Sequence, residues 1–143
     1  MNNRYTLQII GNSQKIEIES EASIKYYSAE EEKFVNVTEN AVFDFNNKLL
    51  QISTKSKTKY IYVNSGIGIS SQNSFQIITS EKFINLKEDK VAFGNNEFVK
   101  KLVHEIDLLK LKIIESKDNS YLSEKEIRSQ LLLKQLQLKY RLI

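Results

Sequence analysis

The sequence has no cysteine and no proline, only four glycines, and a single histidine among its 143 residues. Without cysteine, neither a disulfide framework nor a thiolate metal site can form. One histidine, His104, cannot assemble a zinc site of the usual kind, and on a helical wheel it points away from the apolar face of its own segment. No apolar run approaches the ~20 residues needed to cross a bilayer. The opening residues Met1-Asn2-Asn3-Arg4-Tyr5 lead straight into a strand pattern without an apolar signal region, so a cytoplasmic protein is expected. Positive charge is also scarce where nucleic acid would need it. A pI near 8.9 with three arginines is a weak electrostatic footprint, and no nucleic-acid partner is expected.

Hydrophobic residues at 41% and charged ones at 27% are globular proportions. The first part of the chain is rich in asparagine, serine and period-2 alternation. Candidate strands cover residues 4–10, 15–19, 22–27, 33–37, 41–45, 48–53, 58–63, 66–70 and 74–79. Between them stand Gly11-Asn12, Asn46-Asn47, Asn64-Ser65-Gly66 and Gln72-Asn73, residues that accept the positive φ of tight hairpins. The spacing predicts an antiparallel sandwich or barrel of about nine strands, and a β-sandwich over residues 1–86 is the arrangement expected.

Residues 87–143 are expected to form a separate unit, a C-terminal antiparallel two-helix hairpin. Gly94-Asn95-Asn96 supplies a flexible glycine and an asparagine N-cap. Val99, Leu102, Ile106, Leu109 and Ile113 then follow at the 3-4 spacing of one helix face. The break falls at Ser116-Lys117-Asp118-Asn119-Ser120. The second helix opens on Ser123-Glu124-Lys125-Glu126, which has the pattern of a capping box. Its apolar residues form two seams on the wheel, Ile127, Leu131, Leu138 and Leu142 in one, Leu132, Leu136, Tyr140 and Ile143 in the other. A hairpin needs one seam per helix to close, so the second must bury against the sheet domain or another surface.

The charge tally sharpens this. Residues 1–122 balance, and the net +3 falls on residues 123–143, where Lys125, Arg128, Lys134, Lys139 and Arg141 face only Glu124 and Glu126. A solvated helix face and an acidic protein partner both account for it. Little else suggests chemistry. Glu30-Glu31-Glu32 and the lysines of residues 55–59 read as solvated turns. Ser65-Gly66-Ile67-Gly68 lacks the following helix of a phosphate loop, and no catalytic triad or paired-carboxylate site can be drawn. A non-enzyme is expected.

The layout resembles the epsilon subunit of bacterial F-type ATP synthases, called delta in mitochondria, nearly end to end. Tyr5-Thr6-Leu7-Gln8-Ile9-Ile10 is similar to that family's opening strand. Lys59-Tyr60-Ile61-Tyr62-Val63-Asn64-Ser65-Gly66-Ile67-Gly68-Ile69 is similar to its aromatic strand, glycine turn and following strand. Residues 74–79, Ile84-Asn85-Leu86 and Tyr121-Leu122-Ser123 follow in order. The family's glycine-rich turn and Pro-Gly-His loop are replaced by Ser28-Ala29-Glu30-Glu31-Glu32 and Val37-Thr38-Glu39-Asn40. Some members bind ATP through Leu-Asp-x-x-Arg-Ala, where this chain has Leu86-Lys87-Glu88-Asp89-Lys90-Val91. A lysine lacks the bidentate fork of arginine, so ATP sensing is expected to be weak or absent and no cofactor is expected.

The resemblance implies a non-catalytic rotor subunit of the central stalk, peripheral to the inner face of the cell membrane and without insertion into it. Its partners would be the gamma subunit, the alpha/beta catalytic hexamer and the membrane c-ring. The helices would lie folded, or extend to inhibit ATP hydrolysis. The interface positions it implies are Arg128, Lys134, Lys139 and Arg141, with the apolar Leu132, Leu136 and Tyr140 beside them. Two alternatives stay open: an epsilon-like subunit of a specialised F-type-like ATPase motor, and a β-sandwich binding module with a helical oligomerisation tail. The last would require self-association and an exposed aromatic patch.

Overall fold

The computed structural model describes residues 4–11, 17–80, 83–115 and 121–143. The chain divides into two compact units, Met1–Leu86 and Lys87–Ile143. The first is built from β1 (Tyr5–Ile10), β2 (Glu17–Ser28), β3 (Lys33–Asn36), β4 (Val42–Ser53), β5 (Thr58–Ser70), β6 (Ser74–Thr79) and β7 (Ile84–Leu86). The pairings β1–β6, β6–β5, β5–β4, β4–β2 and β2–β1 return to their starting strand, so the sheet closes as a five-stranded barrel. β3 pairs with β2, and β7 with β5. Among the described strands every pairing is antiparallel except β1–β6, which is parallel.

Two features correct the sequence expectation. Among the described residues there are seven strands where about nine were expected, and of the two arrangements the spacing allows the sheet takes the closed barrel, not the sandwich. The cause lies in residues that were read as turns. Asn47 does take the left-handed φ of 53° that its type tolerates. Yet it sits inside β4, and the ladder to β5 keeps one register on both sides of it, Asn46 opposite Ser65 and Lys48 opposite Val63. Asn64-Ser65-Gly66 likewise lies within β5. In β2, Glu21 has φ 51°, and the register against β1 slips between Tyr5↔Ala22 and Leu7↔Glu19, the mark of a bulge. Bends and bulges in long strands let a small sheet coil and close.

The core follows from alternation. On β1, Tyr5, Leu7 and Ile9 are buried and Thr6 between them is exposed. Phe45, Leu50 and Ile52 of β4, Ile61 and Val63 of β5, and Phe75 and Ile77 of β6 complete the interior. Phe43, Phe45 and Phe75 stack with ring centroids 5.8 to 6.3 Å apart. Gly68 allows this: a Cβ there would run into the Phe45 ring and lie 3.1 Å from Phe75 Cζ.

In the second unit, α1 (Lys90–Phe93) is a single turn whose N-cap, Asp89, accepts from the Ala92 N–H at 2.9 Å. Asn95 Oδ1 accepts from the Glu97 N–H at 2.9 Å, the asparagine cap expected for α2 (Asn96–Glu115). Leu102, Ile106 and Leu109 are buried, with Val99 and Ile113 half-buried, so the predicted stripe forms. It packs with α3 (Tyr121–Tyr140). The expected capping box does not form as read: α3 is already helical at Tyr121, which puts Ser123 inside the first turn. The break at residues 116–120 lies outside the described residues.

α3 ends as a Schellman motif. Arg141 takes the left-handed φ of 57°, and the Leu142 N–H donates back to Gln137 O at 2.9 Å. Leu142 and Ile143 are therefore off the helix, and the two-seam wheel fails at its C-terminal end. The surplus apolar surface also lies elsewhere. Leu131, Leu132, Leu133, Leu138 and Tyr140 are half-buried and Leu136 is buried, whereas α2 exposes Val103, Leu108, Leu111 and Ile114.

Gly68 and Gly94 give a paired test. Gly94 has an ordinary φ of −78°, and a Cβ there would lie 3.3 Å from Val91 O, a tight contact but far milder than the one at Gly68. Gly68→Ala is expected to destabilise the barrel by roughly 1–3 kcal/mol through overpacking, and Gly94→Ala to change stability by less than about 0.5 kcal/mol. Denaturant unfolding of the two variants measures both.

Candidate functional site

The basic side chains of α3 are distributed by helix geometry. Arg128 lies one turn after Glu124, and its Nη2 and Nε donate to Glu124 Oε1 at 2.8 and 3.1 Å. Lys134 reaches across to α2, with Nζ 3.0 Å from Glu105 Oε2 and both side chains about one-third exposed. Lys139 Nζ stands 5.5 Å from the centroid of the Tyr140 ring, and Arg141 is exposed at the left-handed turn. Leu132 and Tyr140 are half-buried beside them, and Leu136 is 4% exposed, part of the helix–helix core. Arg128 and Lys134 thus have carboxylate partners within the chain. Half-exposed pairs of this kind are worth at most about 1 kcal/mol, little enough for an acidic partner to exchange them.

Lys134 and Glu105 also border a cleft of about 310 Å3, lined by Phe98, Lys101 and Leu102 of α2, Gln137 of α3, and Leu142 and Ile143. Lys87, Glu88 and Asp89 lie opposite the end of the chain, with backbone hydrogen bonds to Arg141 and Ile143. The Asp89 carboxylate is engaged in capping α1.

Other candidates for chemistry stay apart. His104 is exposed on α2, and Glu30, Glu31 and Glu32 are exposed in the turn after β2. Among the described residues no three His, Cys, Asp or Glu side chains group to hold a metal. Gly66 and Gly68 lie within β5, not in a loop before a helix. Of the described helices, none is long and apolar enough to cross a membrane.

Sequence reading missed one surface. Ile67 and Ile69 on β5 are 50% and 41% exposed, and Ile78 on β6 and Val42 on β4 are 44% and 74% exposed. Ile67 pairs with Ile78 and Ile69 with Val42, so these side chains form one apolar patch on the outer face of the barrel. The signal was present in Gly66-Ile67-Gly68-Ile69, where glycine alternates with isoleucine.

One ionic cluster is built into the barrel. Glu19 Oε1 lies 3.0 Å from Lys59 Nζ and 3.6 Å from Lys57 Nζ. The hydrogen bond from Lys59 holds the Glu19 carboxyl below its usual value near 4.5, against the opposing effect of partial burial.

These observations define a small β-barrel joined to a helical unit, presenting contact surfaces and, among the described residues, no assembled reaction centre. No family model matches the chain, and no curated protein sequence matches it. The fold is similar to that of a chain in the cryo-EM structure of the Euglena gracilis mitochondrial ATP synthase, OSCP/F1/c-ring in rotational state 1. The TM-score is 0.56 at 12% identity, covering 92% of this chain and 76% of that one. At this identity the likeness is one of fold.

Because the Glu19 pKa is depressed in the folded state, its contribution to stability is complete above the unfolded value and is lost as pH falls through the folded one. Unfolding free energy measured from pH 7 downward is expected to fall below about pH 4.5 more steeply in the parent chain than in Glu19→Gln, by up to about 1 kcal/mol.

Proposed function

We propose that the chain is a non-catalytic subunit of a rotary F-type ATPase, of the central-stalk epsilon type. The observation that carries this is the fold likeness over 92% of the chain to a component of an F1/c-ring structure. The order of sequence features from Tyr5 to Ser123 supports the same reading. In it, the barrel of residues 1–86 binds the gamma subunit, and the patch of Val42, Ile67, Ile69 and Ile78 offers apolar area for that contact. The unit of residues 87–143 is regulatory, with Arg128, Lys134, Lys139 and Arg141 facing acidic segments of the catalytic hexamer. The protein then resides on the inner face of the cell membrane as part of the complex.

The binding-module alternative requires self-association and an exposed aromatic patch, and for the second it finds little support: among the described side chains the exposed large apolar ones are aliphatic, and no aromatic is exposed. The epsilon-like subunit of a specialised F-type-like motor shares every structural feature with the first reading and differs only in partners.

Purification through a tag on the full chain, from its own cells, separates these. Gamma, alpha and beta subunits together with a proton-conducting ring are the expected partners. The same catalytic subunits without a ring indicate the specialised motor, and recovery of neither overturns the proposal. Deleting residues 117–143 is expected to raise ATP hydrolysis by the assembled complex at least about fivefold, in the range of ordinary allosteric coupling. Arg128→Glu with Lys139→Glu should reproduce part of that rise. An unchanged rate in both variants removes the inhibitory role.

A further inference from the structure

The residues after α3 do more than end a helix. Arg141 turns the chain, and residues 141–143 run antiparallel to residues 87–89. Lys87 N–H donates to Ile143 O at 3.0 Å, Ile143 N–H to Lys87 O at 2.9 Å, and Asp89 N–H to Arg141 O at 2.9 Å. Glu88 and Leu142 face each other between them as an isolated bridge. Leu142 is 0% exposed, against 4% to 8% for Leu102, Ile106, Leu109 and Leu136, so the most buried side chain of this unit lies outside its helices. Gln137 closes the corner, accepting from the Leu142 N–H and donating its Nε2 to Leu142 O at 3.4 Å.

We propose that residues 141–143 are a latch on residues 87–89 that holds α3 closed against α2, and that opening it is the step that frees α3. Three features make it a two-state element. Its contacts are concentrated, several backbone hydrogen bonds and one side chain, so they are lost together. It joins the end of α3 to the residues immediately before α1, where Asp89 both receives the latch and caps the helix. The unit is therefore closed head to tail. The latch is also set against itself, because Arg141 holds a left-handed φ of 57°, a conformation that disfavours an arginine relative to glycine. Strain at the pivot opposes burial at the tip. Such a balance can be tipped by a partner that takes up either strand, and it does not depend on what complex the chain enters.

The chain has no cysteine, which makes the test clean. Glu88 and Leu142 are the non-hydrogen-bonded pair of the bridge, for which a Cα separation of about 4.5 Å is usual and a disulfide can form. Amide hydrogen exchange is followed over residues 124–140 of α3 in the full-length Glu88→Cys/Leu142→Cys variant, oxidised and reduced. Oxidation is expected to slow α3 exchange by about tenfold or more. Leu142→Ala should accelerate it by a similar factor, and Arg141→Gly should slow it by relieving the pivot. Throughout, β4 and β5 should exchange as in the parent chain. The latch is overturned if oxidised and reduced forms exchange alike over α3 and the changes stay within residues 87–89 and 141–143. Acceleration by Leu142→Ala that spreads equally into β4 and β5 overturns it too, since that is global unfolding.

Discussion

The close approach of two phenylalanine rings, Phe45 and Phe75, to the backbone of β5 governs the first unit. Phe45 and Phe75 reach β5 from the strands on either side, with Phe43 stacked on both, and the first two rings occupy the place where a side chain at position 68 would stand. Gly68 therefore faces inward, and Gly66, whose Cβ would come within 2.8 Å of Ile78 O, shares its constraint. Strand alternation then leaves Ile67 and Ile69 no choice but the outer face. The apolar patch outside the barrel is thus the counterpart of the aromatic packing within it. A surface suited to a protein contact follows from an interior requirement.

The helical unit rests on a different balance. Its core is a narrow stripe, Leu102, Ile106 and Leu109 against Leu136, reinforced by the half-exposed Lys134–Glu105 pair. None of these is strong enough to bind the helices irreversibly. The tail of the chain supplies what the helices lack: the Leu142 side chain is wholly buried, and backbone hydrogen bonds tie it to residues 87–89. The apolar residues left outside, Val103, Leu111 and Ile114 of α2, belong to the helix read as having a single stripe. Asp107 and Lys110 interrupt this second stripe, so it has no regular apolar spacing in the sequence.

Much of this was legible in the amino-acid order, because it depends on local periodicity and on the charge of individual residues. The strand-rich first part, the asparagine cap and buried stripe of α2, and the positive charge of α3 are all of that kind. Positive φ at Asn47 was legible as well, since asparagine tolerates it wherever it occurs. What such a residue does to the fold was not. A left-handed asparagine makes a hairpin when the ladder ends there and a bend when the ladder continues, and that depends on partners far along the chain. Tertiary pairing alone decided that β4 and β5 run unbroken past Asn47 and Asn64, and that the sheet closes into a barrel through the parallel β1–β6 contact. It also decided that Leu142 leaves its wheel to pair with Glu88. Local sequence sets what each backbone position can adopt; long-range hydrogen bonding and packing select which of those conformations is used.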